Sequence, residues 1–113
     1  MRDGSPLTIE DQVKLLVNAL TDEKDVPPVV KLFTPDAGAT WLISECDPDE
    51  PDRLFGLCDL GLGCPELGYV SLAQIQRVRG HLGLPVERDN HFVADRPLSS
   101  YADEARAKGR IVT

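Results

Sequence analysis

Aromatic residues are scarce in this chain: one Trp, two Tyr and three Phe among 113 residues. A core made from it must be mostly Leu, Val and Ile. Cysteine is also sparse. Cys46, Cys58 and Cys64 make an odd set with no paired framework, which argues against a secreted domain held by disulfides. With no Cys-x-x-Cys pair, and with only His81 and His91 to add, the spacing does not fit structural zinc. No apolar run is long enough to span a bilayer, and Met1-Arg2-Asp3-Gly4-Ser5-Pro6 contains no apolar signal core. The expectation is a cytoplasmic protein without a membrane partner. Positive charge is in deficit: 12 Lys and Arg stand against 19 Asp and Glu, a net charge of −7. Phosphate-backbone binders carry the opposite balance, so no direct nucleic-acid binding is expected. An acidic surface suits a basic protein partner, or simple hydration.

What remains is ordinary globular material, 42% hydrophobic and 27% charged. It is long enough to bury a core without a disulfide or metal. We expect a single domain over 1–113, with an N-terminal helix and connector over 1–28, a core over 29–108 and a loose tail over 109–113. Thr8 and Asp11 suit a helix start. Ile9, Val13, Leu16, Val17 and Leu20 then form one apolar helical stripe, which Pro27-Pro28 cannot extend. Four short β segments follow, over 29–33, 39–46, 53–60 and 66–70. Thr34-Pro35-Asp36-Ala37-Gly38, Asp47-Pro48-Asp49-Glu50-Pro51-Asp52 and Gly61-Leu62-Gly63-Cys64-Pro65 separate them with turn chemistry. Short connections favour an antiparallel meander. Ser71 and Gln74 fit a capping box for a helix with Leu72, Ile75, Val78 and Leu82 on one side, stopped by Gly83. Residues 86–94 read as a polar edge strand. Ser100 and Asp103 open a last helix with Tyr101, Ala102 and Ala105 inward, and Gly109 ends it. The predicted fold is α+β: an antiparallel sheet of four to five strands, with the N-terminal helix and the two later helices on one face.

No catalytic or metal motif is specific enough to name a reaction, and no cofactor is expected. Glu45, Asp47, Asp49, Glu50 and Asp52 concentrate acid on one hairpin loop. As an EF-hand it fails, because Asp52 stands where glycine is needed and Pro51 offers no ligand. The remaining readings are a patch that mimics nucleic-acid phosphates to a basic protein, and a solvated turn. Asp59, Glu66 and Tyr69 flank the Gly-rich turn. That turn lacks both the Gly-Lys-Ser/Thr ending of a phosphate loop and the dinucleotide spacing. Its glycines suit either a close-approaching partner or a tight turn in which Asp59 accepts from backbone N–H groups. The candidate partner-binding residues are therefore Glu45, Asp47, Asp49, Glu50, Asp52, Asp59, Glu66 and Tyr69. A rival reading places a small-ligand or enzymatic site at the Gly-rich turn, with Asp59, Glu66 and His91 brought together.

The run Phe55-Gly56-Leu57-Cys58-Asp59-Leu60-Gly61-Leu62-Gly63-Cys64-Pro65-Glu66-Leu67-Gly68-Tyr69-Val70-Ser71-Leu72, with Lys31-Leu32-Phe33-Thr34-Pro35 and Thr40-Trp41-Leu42, resembles an uncharacterised bacterial family of unknown function. Gly83-Leu84-Pro85-Val86-Glu87-Arg88-Asp89 and Leu98-Ser99-Ser100-Tyr101-Ala102 extend the resemblance across roughly 28–108. Cys64 departs from it, standing where such proteins often carry an apolar residue. The resemblance implies short proteins of plasmids and integrative conjugative elements, found among antirestriction and other accessory genes. It implies no chemistry. The function expected on that basis is a non-enzymatic protein-interaction module of accessory or anti-defence type. Its partner would be a protein, such as a basic nucleic-acid-binding defence protein of the host.

Overall fold

Four β segments fold back on one another wherever the sequence places turn residues. In this computed structural model, which describes residues 5–113, they are β1 (Val30–Phe33), β2 (Thr40–Cys46), β3 (Arg53–Asp59) and β4 (Glu66–Ser71). Each pairs antiparallel with the next. A two-residue β5 (Glu87–Arg88) adds to the other side of β1, giving the order β4-β3-β2-β1-β5. The fold is the expected α+β class. Gly56 of β3 lies tight against the β2 backbone: a Cβ there would stand 2.1 Å from the Leu42 carbonyl oxygen, so no larger residue fits.

The helices are α1 (Ile9–Leu20), α2 (Leu72–Arg77) and α3 (Leu98–Lys108). They do not share one face, which corrects the expected placement. Val30, Leu32, Trp41, Ile43 and Leu54 point to one side of the sheet and bury Leu7, Leu15 and Ile75 from the α1 and α2 side. Leu42 and Leu57 point the other way and are covered by Leu98, Tyr101, Ala102 and Ala105 of α3. Central strands that are apolar at both alternations need cover on both faces.

Tertiary hydrogen bonds also shift three boundaries. The second helix stops at Arg77 rather than near Leu82. There the Arg79 guanidinium donates to the carbonyls of Gln76 and Val78, and Asp36 accepts from the N–H groups of Leu82 and Leu84. Residues 79–85 are thus held as a loop against Asp36, and Gly80 leaves the space that the carboxylate occupies. Of the strand expected over 86–94 only β5 forms, because the Asp89 carboxylate accepts from the His91 N–H and turns the chain. The last helix starts at Leu98, two residues early. Its first N–H groups are taken by the connector, the Val26 carbonyl accepting from Leu98 and the Asp25 carboxylate from Ser99. The C-terminal residues are not a loose tail. Ile111 is buried and its N–H donates to the Asp59 carboxylate at 2.9 Å, while the Lys31 ammonium donates to the Thr113 hydroxyl.

α1 begins with a complete capping box. Thr8 Oγ1 accepts from the Asp11 N–H and Asp11 Oδ2 accepts from the Thr8 N–H, both at 3.0 Å. The same Asp11 carboxylate is buried and takes a two-pronged donation from Arg88 of β5, Nε at 2.7 Å and Nη2 at 2.8 Å. One turn further on, Leu15 is fully buried. Near the helix end, the Asn18 amide donates to the Ser44 carbonyl at 3.0 Å. That carbonyl lies at the irregularity between Ile43 and Glu45 in the β2–β3 register, where a strand loses a ladder partner and needs another.

Burial alone would oppose ionisation of Asp11. The Arg88 guanidinium and the Thr8 contacts outweigh it and hold the carboxyl below its ordinary value of 3.8. A depressed native pKa stabilises the fold above the unfolded-state value, and that stabilisation fades as pH falls through the native one. Asp11→Asn is therefore expected to cost about 2–4 kcal/mol at pH 7. It should also flatten the loss of stability below about pH 4. Urea unfolding from pH 7 to pH 3 checks both, and an unchanged acid limb would show that Asp11 carries no coupled charge.

Candidate functional site

The apolar stripe of α1 faces away from the sheet. Ile9 is 64% exposed, Val13 55%, Val17 51% and Leu20 67%, and Leu16 is also exposed. The face turned inward is the one with Asp11, Leu15 and Asn18. Sequence periodicity identifies the helix and its stripe, but the direction in which the stripe points is set by polar contacts. Full burial of such a side chain is worth about 1.5–3 kcal/mol, so these half-exposed ones each forgo about 1 kcal/mol. An exposed row of this kind marks an interaction surface more often than chance.

Ile9, Val13 and Leu16 form one wall of a groove of about 600 Å³. Leu54 and Cys46 lie at its base, Leu72 and Gln76 of α2 close one end, and Pro48, Pro51 and Asp52 of the β2–β3 loop form the opposite lip. The loop is a firm structure. Asp47 Oδ1 accepts from the Asp49 N–H at 2.8 Å, and the Asp47 N–H donates to the Arg53 carbonyl. Asp52 caps α2: its carboxylate accepts from the Ser71 hydroxyl at 2.5 Å and from the Ala73 N–H at 2.9 Å. The capping box expected at Ser71 forms on one side only, with Ser71 accepting from Gln74. Asp49 and Glu50 project as exposed carboxylates at the loop tip. The groove is thus mostly apolar, with acid along one lip.

The Cys46 thiol in the groove is pushed above its ordinary value of 9.0 by burial and by the neighbouring Asp47 and Glu45 carboxylates. It is held as a poor nucleophile. The other polar groups are the amides of Gln12 and Gln76 and the Ser5 hydroxyl, apart from the Asp52 carboxylate already used in capping. These groups suit fixing a guest's orientation.

The expected partner-binding residues divide among three places. Asp52 lines the groove, Asp47, Asp49 and Glu50 lie in the same loop beside the lining residues Pro48 and Pro51, and Glu45 is half-buried at the end of β2. Asp59 is buried and bonds two backbone N–H groups, those of Gly61 at 2.8 Å and Ile111 at 2.9 Å. Its role is to fasten the Gly-rich turn to the C-terminal segment, and it is not available to a partner. Glu66 and Tyr69 lie on β4. Tyr69 is 59% exposed, packs edge-on against Phe55 and lies beneath the Arg53 guanidinium at 4.0 Å.

Both loops, 47–52 and 61–66, are exposed connections apart from half-buried Asp47 and buried Pro65. They leave opposite ends of β3, roughly 20 Å apart at the rise of a strand, so they do not make one surface. Nor do Asp59, Glu66 and His91 converge. His91 lines a separate cleft with Lys31, Asp89, Arg96 and Tyr101 that includes neither of the other two. Among the described residues no three His, Cys, Asp or Glu side chains are grouped to hold a metal, and no helix is long and apolar enough to cross a membrane. The site residues that sequence reading passed over are Ile9, Val13 and Leu16. Their signal was there, a clean helical stripe, but it reads equally as core.

The chain belongs to the family described as protein of unknown function (DUF2958), which it matches over residues 7–112. No curated protein matches it, and no solved structure does.

Because the stripe is only half-buried and outside the core, Val13→Asn should change the unfolding free energy by no more than about 1 kcal/mol. Leu15→Ala, two residues on, should cost about 2–4 kcal/mol. Urea denaturation of the two variants makes the comparison. A loss at Val13 as large as that at Leu15 would put the stripe inside the protein.

Proposed function

We propose that this protein is a non-enzymatic protein-binding domain, and that the groove between α1 and the β2–β3 loop receives an apolar, positively flanked segment of a partner protein. The observation that carries this reading is the outward stripe Ile9, Val13 and Leu16, walled opposite by Pro48 and Pro51. Covering three such side chains would contribute about 3 kcal/mol, which is roughly a hundredfold in affinity. The Asp49 and Glu50 carboxylates beside the lip favour Lys or Arg next to the guest's apolar residues and would speed encounter with a basic protein. Grooves lined in this way commonly take amphipathic helices whose anchors recur every three or four residues. A raised thiol and amide groups suit holding a segment more than transforming it.

The biological role we propose is that of an accessory or anti-defence protein of a bacterial mobile element. It would act in the cytoplasm on a basic, nucleic-acid-binding protein of the host. Two things support this: the resemblance carried by the Gly-rich run, and the acid concentrated on the groove's lip.

A labelled amphipathic peptide of Leu and Lys at helical spacing is the direct probe, with a Leu and Glu peptide of the same pattern as control. Fluorescence anisotropy should show binding of the first only. Binding should weaken about tenfold or more with Leu16→Asp. With Asp49→Asn and Glu50→Gln together it should weaken less, and lose much of its salt dependence. Equal binding of both peptides, or binding indifferent to Leu16→Asp, would remove the groove from the reading. For the biological role, plasmid-transfer and phage-challenge assays with and without the gene are the test. No difference in several restriction and CRISPR backgrounds would remove it.

A further inference from the structure

We propose that two copies of this chain pair through β4, edge to edge and antiparallel, joining their sheets into one. β4 is the outer strand at one side of the sheet, and all six of its residues pair with β3. On its other side no backbone hydrogen bond joins residues 66–71 to any other described segment. An edge of this kind is a ready template for another strand unless something blunts it. At the opposite side β5 is blunted by length, at two residues. β4 has none of the usual devices. It contains no Pro and no Lys, its register with β3 runs without a bulge, and its single charge, Glu66, stands at the first position.

The side chains suit a copy of the same strand. In a two-fold register centred on Gly68, Leu67 of each chain lies opposite Tyr69 of the other. That is an apolar–aromatic cross-strand pair made twice. Both side chains stand on the same face of the sheet and both are exposed. The Phe55 ring and the Arg53 guanidinium already hold the Tyr69 ring in place, so little side-chain freedom is left to lose on pairing. Gly68, at the centre of the contact, carries no side chain on either copy, and nothing lies within 4 Å of where its Cβ would stand, so no side-chain crowding over the sheet face opposes the two-fold register there. The net charge of −7 on each copy opposes association at low salt, but no like charges meet directly across the paired strands. The two Glu66 residues would lie about 14 Å apart along the strands, beyond the Debye length of about 8 Å at physiological salt. The pairing uses none of the three α1 residues that wall the groove, so it stands or falls independently of the binding reading.

Sedimentation equilibrium of the full chain tests this. The expected result is a concentration-dependent doubling of the 12.4 kDa mass. Association should weaken about tenfold or more in Leu67→Lys and in Tyr69→Lys, each checked by circular dichroism for an unchanged fold. Two variants are used so that a folding failure in one leaves the other. In the wild type, hydrogen exchange at β4 amides should slow as protein concentration rises. A chain that stays monomeric to about 1 mM would overturn the proposal. So would a dimer that persists in a folded Lys variant. So would β4 amides that are protected only when an extended peptide of another protein is added.

Discussion

The contact between Asp11 and Arg88 fixes which way the first helix faces, and the groove follows from that. α1 offers the sheet a carboxylate, an amide and a single leucine, and it leaves its best apolar row outside. Rolling the helix over would bury five apolar side chains, a gain of about 5 kcal/mol at their present half exposure. It would also strand Arg88 without its carboxylate, at about 3–5 kcal/mol for a broken buried pair, and leave the Ser44 carbonyl bare, at about 1–3 kcal/mol more. Those two costs together, about 4–8 kcal/mol, match or exceed the apolar gain, and turning the fully buried Leu15 out to water adds about 1.5–3 kcal/mol more. Arg88 belongs to β5, so the edge of the sheet and the N-terminus of the chain are tied by the same carboxylate that caps the helix.

Where turn residues punctuate β-rich runs, the fold was legible. Pro35 to Gly38, Asp47 to Asp52 and Gly61 to Pro65 define three connections, and with them a meander. Legibility failed where a side chain distant in sequence decides a local conformation. Asp36 holds residues 82 and 84 and shortens the second helix. Asp25 opens the third. Asp59 fastens residue 111 and removes the tail. Each is a short carboxylate accepting backbone N–H groups, and no hydrophobic period reports such a contact. The same blindness explains the candidate site. The acidic loop is visible in the sequence, but the direction of the apolar stripe near it is not, because a stripe has the same spacing whether a sheet or a partner covers it.

Several of the acids that give the chain its negative charge have structural duties. Asp11, Asp25, Asp36, Asp52 and Asp59 cap helices or pin loops. Those left over at the β2–β3 tip, Asp49 and Glu50, are the ones beside the groove. A firm lip matters for recognition: Asp52 ties the loop to α2, so both ends of the groove move with the sheet, and little ordering would be required of the protein when a guest arrives.

The outward direction of the α1 stripe is the central point. Hydroxyl-radical footprinting of the native chain, read residue by residue in the peptide covering 5–20, measures it most directly. Strong labelling at Ile9, Val13 and Leu20 with protection of Leu7 and Leu15 is the expected result. Protection of the stripe with labelling of Leu15 would contradict it, and the groove would not exist.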